Sequence, residues 1–160
     1  MLNINVITVG KLKENYLRDA CNEYTKRLGA YSKIKITELA EARLPDNPSE
    51  KEIENALENE AKAILAAIPS GSAVIAMCIE GKLLSSEEFS ARLEKFAVEG
   101  KSTVCLIIGS SFGLSPTVKN AAHLRMSMSP MTFPHQLARV MLLEQLYRGL
   151  SISNNGKYHK

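Results

Sequence analysis

Apolar residues along this chain fall into two periods, and their alternation predicts its elements. Ile4 to Val9 reads as a strand, closed by Gly10. From Asn15 to Leu28 the apolar positions Tyr16, Leu17, Ala20, Cys21, Tyr24 and Leu28 recur at helical spacing as one stripe, and Gly29 marks the stop. Lys33 to Leu39 is a second strand, with Ile34 and Ile36 on one face. A loop punctuated by Pro45 and Pro48 then leads to Ser49 and Glu52. Their spacing is that of a capping box, and it opens a long acidic helix to about Ala67 with the stripe Ile53, Ala56, Leu57, Ala61, Ile64 and Leu65. Pro69 to Ser72 is a turn.

The second half changes character. Ala73 to Ile79 and Thr103 to Ile108 are continuous apolar runs, the mark of strands covered on both faces. Between them Ser85 and Glu88 form another capping box, Phe89, Leu93 and Phe96 stripe a helix, and Gly100 ends it. After the glycine-bearing loop Gly109 to Gly113, Ser115 caps a helix whose first residue is Pro116. Leu124, Met126 and Met128 alternate as a short strand. Ser129 to Pro134 is a loop stiffened by Pro130 and Pro134, and a final helix follows. That helix is apolar nearly all round, through Leu137, Val140, Met141, Leu142, Leu143, Leu146, Tyr147 and Leu150, so it should be covered on more than one side, the second time by another subunit. A polar tail, Ser151 to Lys160, ends the chain. Strands alternating with helices, with apolar central strands, imply one α/β domain over residues 1–160, a parallel-rich sheet layered by helices.

Composition adds limits. At 160 residues the chain supports one core. No apolar run approaches the ~18 residues of a membrane span, and the N-terminus lacks the basic-then-apolar pattern of a signal peptide. Cys21, Cys78 and Cys105 are far apart and sit at apolar positions. They read as buried free thiols, neither disulfides nor metal ligands, and fit a reducing cytoplasm.

The net charge of +3 says less than its distribution. Residues 36–100 carry thirteen acids against six bases, whereas residues 101–160 carry seven bases and Glu144 as their one acid. A basic terminal third points to an anionic ligand, either a nucleic acid or a phosphorylated molecule.

In open α/β sheets, ligands bind beyond the carboxyl ends of the strands. Three loops qualify here: one with Gly81 and Lys82, one from Gly109 to Gly113, and one from Met128 to Pro134. The second is neither a GxGxxG fingerprint nor a phosphate loop. The third, small and apolar with stiff ends, suits an adenine ring and a thioether better than a triphosphate.

The segments GKLKENYLRDACNEYTKRL, IEGKLLSSEEF, IIGSSFGLSP and LRMSMSPMTFPHQLARVMLLEQLYR, with the final YHK, resemble the RlmH family of the SPOUT superfamily over essentially the whole chain. Members are large-subunit rRNA pseudouridine methyltransferases. The resemblance implies an α/β fold with a C-terminal trefoil knot, here about residues 103–160, which periodicity cannot reveal. It further implies a homodimer that uses S-adenosylmethionine and methylates N3 of a pseudouridine in 23S rRNA on the assembled ribosome, with no metal and no membrane. By motif position the cofactor would be held by Met77, Gly109, Met128, Ser129, Pro130, Met131, Thr132 and Phe133. The chain departs from the family at Ser110, where a second glycine is common, at Met77, where leucine is expected, and at Lys157, where a proline is usual.

The chemistry needs an in-line nucleophile with its weakly acidic N3 proton removed or the resulting charge stabilised. Arg148, Tyr158 and His159 are the residues expected to meet the flipped base, Tyr158 by stacking and with the tail lent across the dimer interface. His135 and Arg139 either touch substrate or bond within the knot and dimer. Lys11 and Lys13, with Lys26 and Arg27, would contact phosphates. The competing readings are another RNA acceptor on the same fold, a non-catalytic RNA-binding protein, and a flavin or nucleotide binder on an ordinary doubly wound sheet.

Overall fold

The computed structural model describes residues 1–160 as alternating strands and helices: β1 (Leu2–Val9), α1 (Asn15–Leu28), β2 (Ser32–Leu39), α2 (Glu50–Ala67), β3 (Ala73–Leu83), α3 (Ser86–Val98), β4 (Thr103–Ile108), α4 (Pro116–Ala121), β5 (Leu124–Ser127) and α5 (His135–Ser153). The strands form one sheet in the order β2-β1-β4-β3-β5, and every pairing is parallel. Parallel strands need crossovers, and the helices supply them on both faces.

Alternation along the central strands divides the core in two. Ile4, Val6, Ile75, Leu106 and Ile108 pack with residues of α1, α3 and α5. Their neighbours Ile7, Val9, Val74, Ala76, Cys105 and Ile107 pack with Ala61 and Ile64 of α2 and Val118 of α4. Both capping boxes form, Ser49 with Glu52 and Ser85 with Glu88, and Ser115 caps α4 with Pro116 in its first turn.

Five expectations are corrected. Tyr16 stands outside the α1 stripe at 68% exposure, while Cys21 and Leu28 are its buried members. Gly29 ends α1 in a right-handed conformation, φ −58°, so no left-handed cap is used there. Cover on β3 is lost toward its carboxyl end: Ala73 to Ala76 are buried, Met77 and Cys78 half-buried, and Ile79 is 50% exposed. The thiols follow suit, Cys21 and Cys105 being buried while Cys78 is half-exposed. Finally, α5 runs on through Ser153, and the residues after it fold back along the helix, where the Gly156 N–H donates to the Ser151 carbonyl at 2.7 Å.

The far end of β3 is irregular in a way that shapes the site. Met77 and Lys82 both stand opposite Met126 of β5, so Cys78 to Gly81 bulge out between them. At Gly81 a Cβ would lie 2.7 Å from the Met126 backbone, so only glycine lets the bulge close on β5.

Helix α5 lies between α1 and α3. Leu142, Leu143, Leu146 and Leu150 are buried in that contact, while Val140 and Met141 are half-exposed and Leu137 is 40% exposed. No helix is long and apolar enough to cross a membrane.

Candidate active site

A cavity of about 700 Å³ opens at the carboxyl ends of β3, β4 and β5. Its size is that of a small-molecule site. The uncovered end of β3 gives one wall, from Met77 to Glu80. The loop after β4 gives a second. There Gly113, with φ +88°, turns the chain back so that a Cβ on Gly109 would collide with the Gly113 carbonyl. Ser110, where glycine is common in the family, has ordinary negative φ, and the left-handed residue of this loop is Gly113.

The third wall is the segment from Met126 to Ala138. Ser127 ties its bend, donating through Oγ to the Ser129 carbonyl at 3.0 Å and accepting from the Ser129 N–H at 3.2 Å. Ser129 repeats the device on the Met131 N–H at 2.9 Å. The two prolines and these short bonds fix a bent path of the backbone beside the cavity.

Of the residues expected to hold a cofactor, Met77, Gly109, Met128, Ser129, Met131, Thr132 and Phe133 line this cavity and Pro130 does not. Sequence reasoning missed Cys78, Phe112 and the pair Lys119–Glu80, whose charged atoms are 2.5 Å apart at the rim. The Lys119 ammonium holds the Glu80 carboxyl below the usual range. Lys119 sits on α4, and nothing in the local pattern of that short helix marks it as facing β3.

The tail residues form a second, tightly bonded group. Arg148 donates through Nε to Glu144 Oε1 at 2.7 Å, and its Nη1 lies 3.1 Å from His159 Nδ1. Tyr158 donates its hydroxyl to Glu144 Oε2 at 2.6 Å, beneath the Arg148 guanidinium. His159 Nε2 is 2.6 Å from Glu87 on α3. Glu144 is thus the hub that sets both the cation and the phenol; it bonds to Tyr158, and that bond together with burial raises the phenol's pKa to about 12. Arg148, Tyr158 and His159 are brought together, but they do not line the large cavity. Glu144, to which Arg148 and Tyr158 bond, stands in the wall of a smaller hollow of about 250 Å³, and the two hollows share Met126, Ser127 and Met128.

The expected RNA contacts separate. Lys11 and Lys13 are exposed on the loop before α1, and the Lys13 N–H reaches Gln136 at 3.3 Å. His135 lines the cavity, its Nε2 3.9 Å from Glu41. Of the two roles open to Arg139, the contacts present are internal ones: it is 4% exposed, and its guanidinium donates to Glu38 at 2.7 Å, Thr8 Oγ1 at 3.0 Å and the Gly10 carbonyl at 3.1 Å. A group so buried, with three of its five N–H donors taken up inside the fold, braces α5 to the ends of β1 and β2. His123 is likewise structural, bonding Val74 through its backbone N–H and its Nδ1.

Comparison with known proteins bears on this geometry. The family described as "Predicted SPOUT methyltransferase" matches residues 2–159. "Ribosomal RNA large subunit methyltransferase H" of Clostridium beijerinckii is 51% identical over 99% of this chain and 100% of its own length. The protein of that name from Bacillus pumilus is 48% identical over the same shares. Among solved structures, a probable methylase family protein from Haemophilus influenzae aligns with TM-score 0.54 at 16% identity, covering 98% of this chain and 70% of its own. A putative methylase family protein from Neisseria gonorrhoeae gives 0.56 at 15%, covering 91% and 82%. These two share the fold. With one family matched from end to end and full-length relatives near half identity, the chain belongs to the SPOUT methyltransferases, in the group of the ribosomal RNA large subunit methyltransferases H.

Proposed function

We propose that this protein methylates N3 of a pseudouridine in 23S rRNA of the assembled ribosome, as a cytoplasmic homodimer that draws the methyl group from S-adenosylmethionine. The observation that carries the reading is the cavity at the strand ends, framed by the loop from Ser129 to Pro134 in a chain about half identical to rRNA methyltransferases over its full length. The residues fit the cofactor. Met77, Ile79, Met128 and Phe133 offer apolar walls for an adenine and a thioether, and no cluster of free cations stands ready for a polyphosphate. Gly109 and Gly113 set the turn of the loop after β4, whose backbone forms part of the cavity wall. When bound, the cofactor supplies a methyl group on a positively charged sulfur.

The chain's own residues must deliver the base, hold off water and take a proton. For N3 to take up that methyl group, its proton must leave the base. His159 is the group for that proton, with Arg148 beside it to stabilise charge on the base. Arg148 can only donate, so Nδ1 of His159 accepts and Nε2 turns its hydrogen to Glu87; the arriving base has to displace Arg148 from Nδ1 to reach the lone pair.

Within one chain the tail group stands across the Met126–Met128 wall from the cofactor cavity. Leu137, Val140 and Met141, the uncovered apolar side of α5, supply the surface on which a second copy would dock and bring its tail to the open cavity. Residues from about 103 to 160 carry the trefoil knot in this reading, supported by the tight passage of the Arg125–Met126 backbone against Gly81.

The test is transfer of a labelled methyl group from S-adenosylmethionine to intact ribosomes, free large subunits and naked rRNA, all from cells lacking the endogenous enzyme. Label is expected on intact ribosomes. It should be lost with Arg148→Ala and with a chain ending at Gly156. Absence of label on all three acceptors, with the cofactor bound, would overturn the reading.

A further inference from the structure

One acidic side chain is buried where the proposed reaction has no use for it. Glu60, on α2, is 7% exposed. A carboxylate at that depth needs donors, and it has one for each oxygen. Oε2 accepts from the Ala42 backbone N–H at 2.9 Å, and Oε1 accepts from the Ser110 hydroxyl at 3.2 Å. Ala42 lies in the segment between β2 and α2. Ser110 follows Gly109 in the loop that lines the large cavity. One side chain therefore clamps two loops together and consumes the only hydrogen the Ser110 hydroxyl has.

We propose that Glu60 is a positioning residue for the cofactor loop: by accepting the Ser110 hydroxyl hydrogen, it leaves Ser110 only lone pairs to offer the cavity. The wall at Ser110 then selects a ligand group that donates, such as a ribose hydroxyl or an ammonium, and disfavours one that accepts. The inference rests on the reading of this cavity as the S-adenosylmethionine site.

A serine hydroxyl carries one hydrogen and two lone pairs. The Ala42 N–H is fixed by the backbone and always donates, so the oxygen facing it must remain an acceptor. An ionised carboxyl also accepts from Ser110. Glutamine at position 60 would keep the size and, through its carbonyl oxygen, the bond to Ala42, but it would turn an NH2 toward Ser110. The serine oxygen would then accept from the amide, and its hydrogen would swing to the cavity. The hydrogen-bonding sense of one wall group is reversed with no change of shape or loop connection.

The experiment is a double-mutant cycle on cofactor affinity. The dissociation constant of S-adenosylmethionine is measured by calorimetry for the wild type, Glu60→Gln, Ser110→Ala and the double variant, with thermal melting of each. Glu60→Gln is expected to weaken binding about tenfold, the size of one hydrogen bond turned into a donor–donor contact, with its melting temperature retained. In the Ser110→Ala background the same change should have no further effect. In turnover the loss should reside in KM for the cofactor, with kcat preserved. Should Ser110→Ala fail to fold, Ser110→Gly leaves room for a water at the freed oxygen and completes the cycle. Equal weakening in both backgrounds, or none in either, would overturn the proposal. A wild type that binds no S-adenosylmethionine would instead overturn the reading of the cavity itself.

Discussion

At the scale of single residues, the structure divides polar groups that look alike in the sequence. His135 and Arg139 stand one helical turn apart, and from spacing alone both are equal candidates for RNA contact. The partner that decides Arg139 is Glu38, 101 positions away, and no local pattern encodes that distance. Arg139→Ala should therefore act on stability. It leaves the buried Thr8 hydroxyl and the Gly10 carbonyl unpaired, with Glu38 still partly in solvent, at a cost of roughly 2–3 kcal/mol, below the full value of a buried pair. Urea denaturation measures this, and a variant of wild-type stability but weakened RNA binding would contradict it. Glu144 is the opposite case, a lone acid in a basic stretch, with one partner, Arg148, a helical turn away and the other, Tyr158, hidden in the tail. Its bond to the Tyr158 hydroxyl, aided by burial, raises that phenol to about 12. The folded state thus holds the phenolic proton more tightly than the unfolded chain, where the pKa is about 10. The contribution is complete below about pH 10 and is lost as pH rises through about 12. Glu144→Gln should bring Tyr158 back toward about 10, read from tyrosinate absorbance during a pH titration.

Elements were legible where their signals are local. Both serine–glutamate capping boxes, the Ser115–Pro116 start and the apolar runs of β3 and β4 are written in stretches of a few residues, and the structure places the elements there. Removing one such cap with Ser85→Ala should cost about 1 kcal/mol in thermal or chemical unfolding. What lay beyond reach was any feature made by two elements at once. The apolar run to Ile79 reads as evenly buried, yet its last residues outrun the helices and become a cavity wall. The β3 bulge exists only because β5 passes within contact of Gly81, and a glycine in a short turn gives no notice of that. Gly81→Ala forces the Arg125–Met126 backbone to move, at roughly 1–3 kcal/mol, and should lower cofactor affinity as well because the displaced strand leads into the cavity loop.

For the whole molecule, a parallel sheet with helices on both faces follows from the alternation of elements, but the strand order does not. Placing β4 between β1 and β3, with β5 at the edge, gathers three loops into one cavity, while the tail group lies outside its lining and its hub Glu144 faces a second hollow that shares one wall. That separation is the physical reason for expecting a dimer. Leu137→Glu with Met141→Glu should reduce the sedimenting mass from twice 17.6 kDa to one chain and abolish methyl transfer, leaving S-adenosylmethionine binding to the isolated chain in place. The cysteines offer a way to watch such binding. Cys21 and Cys105 are sealed in the core, whereas Cys78 stands in the cavity wall at the open end of β3. The protein thus carries one natural labelling handle. Burial raises its thiol pKa, so a maleimide should react slowly near neutrality and faster as the solution is made alkaline. A molecule seated in the cavity should shield that sulfur, so the rate at which one label is taken up becomes a stopwatch for occupancy that needs neither RNA nor turnover.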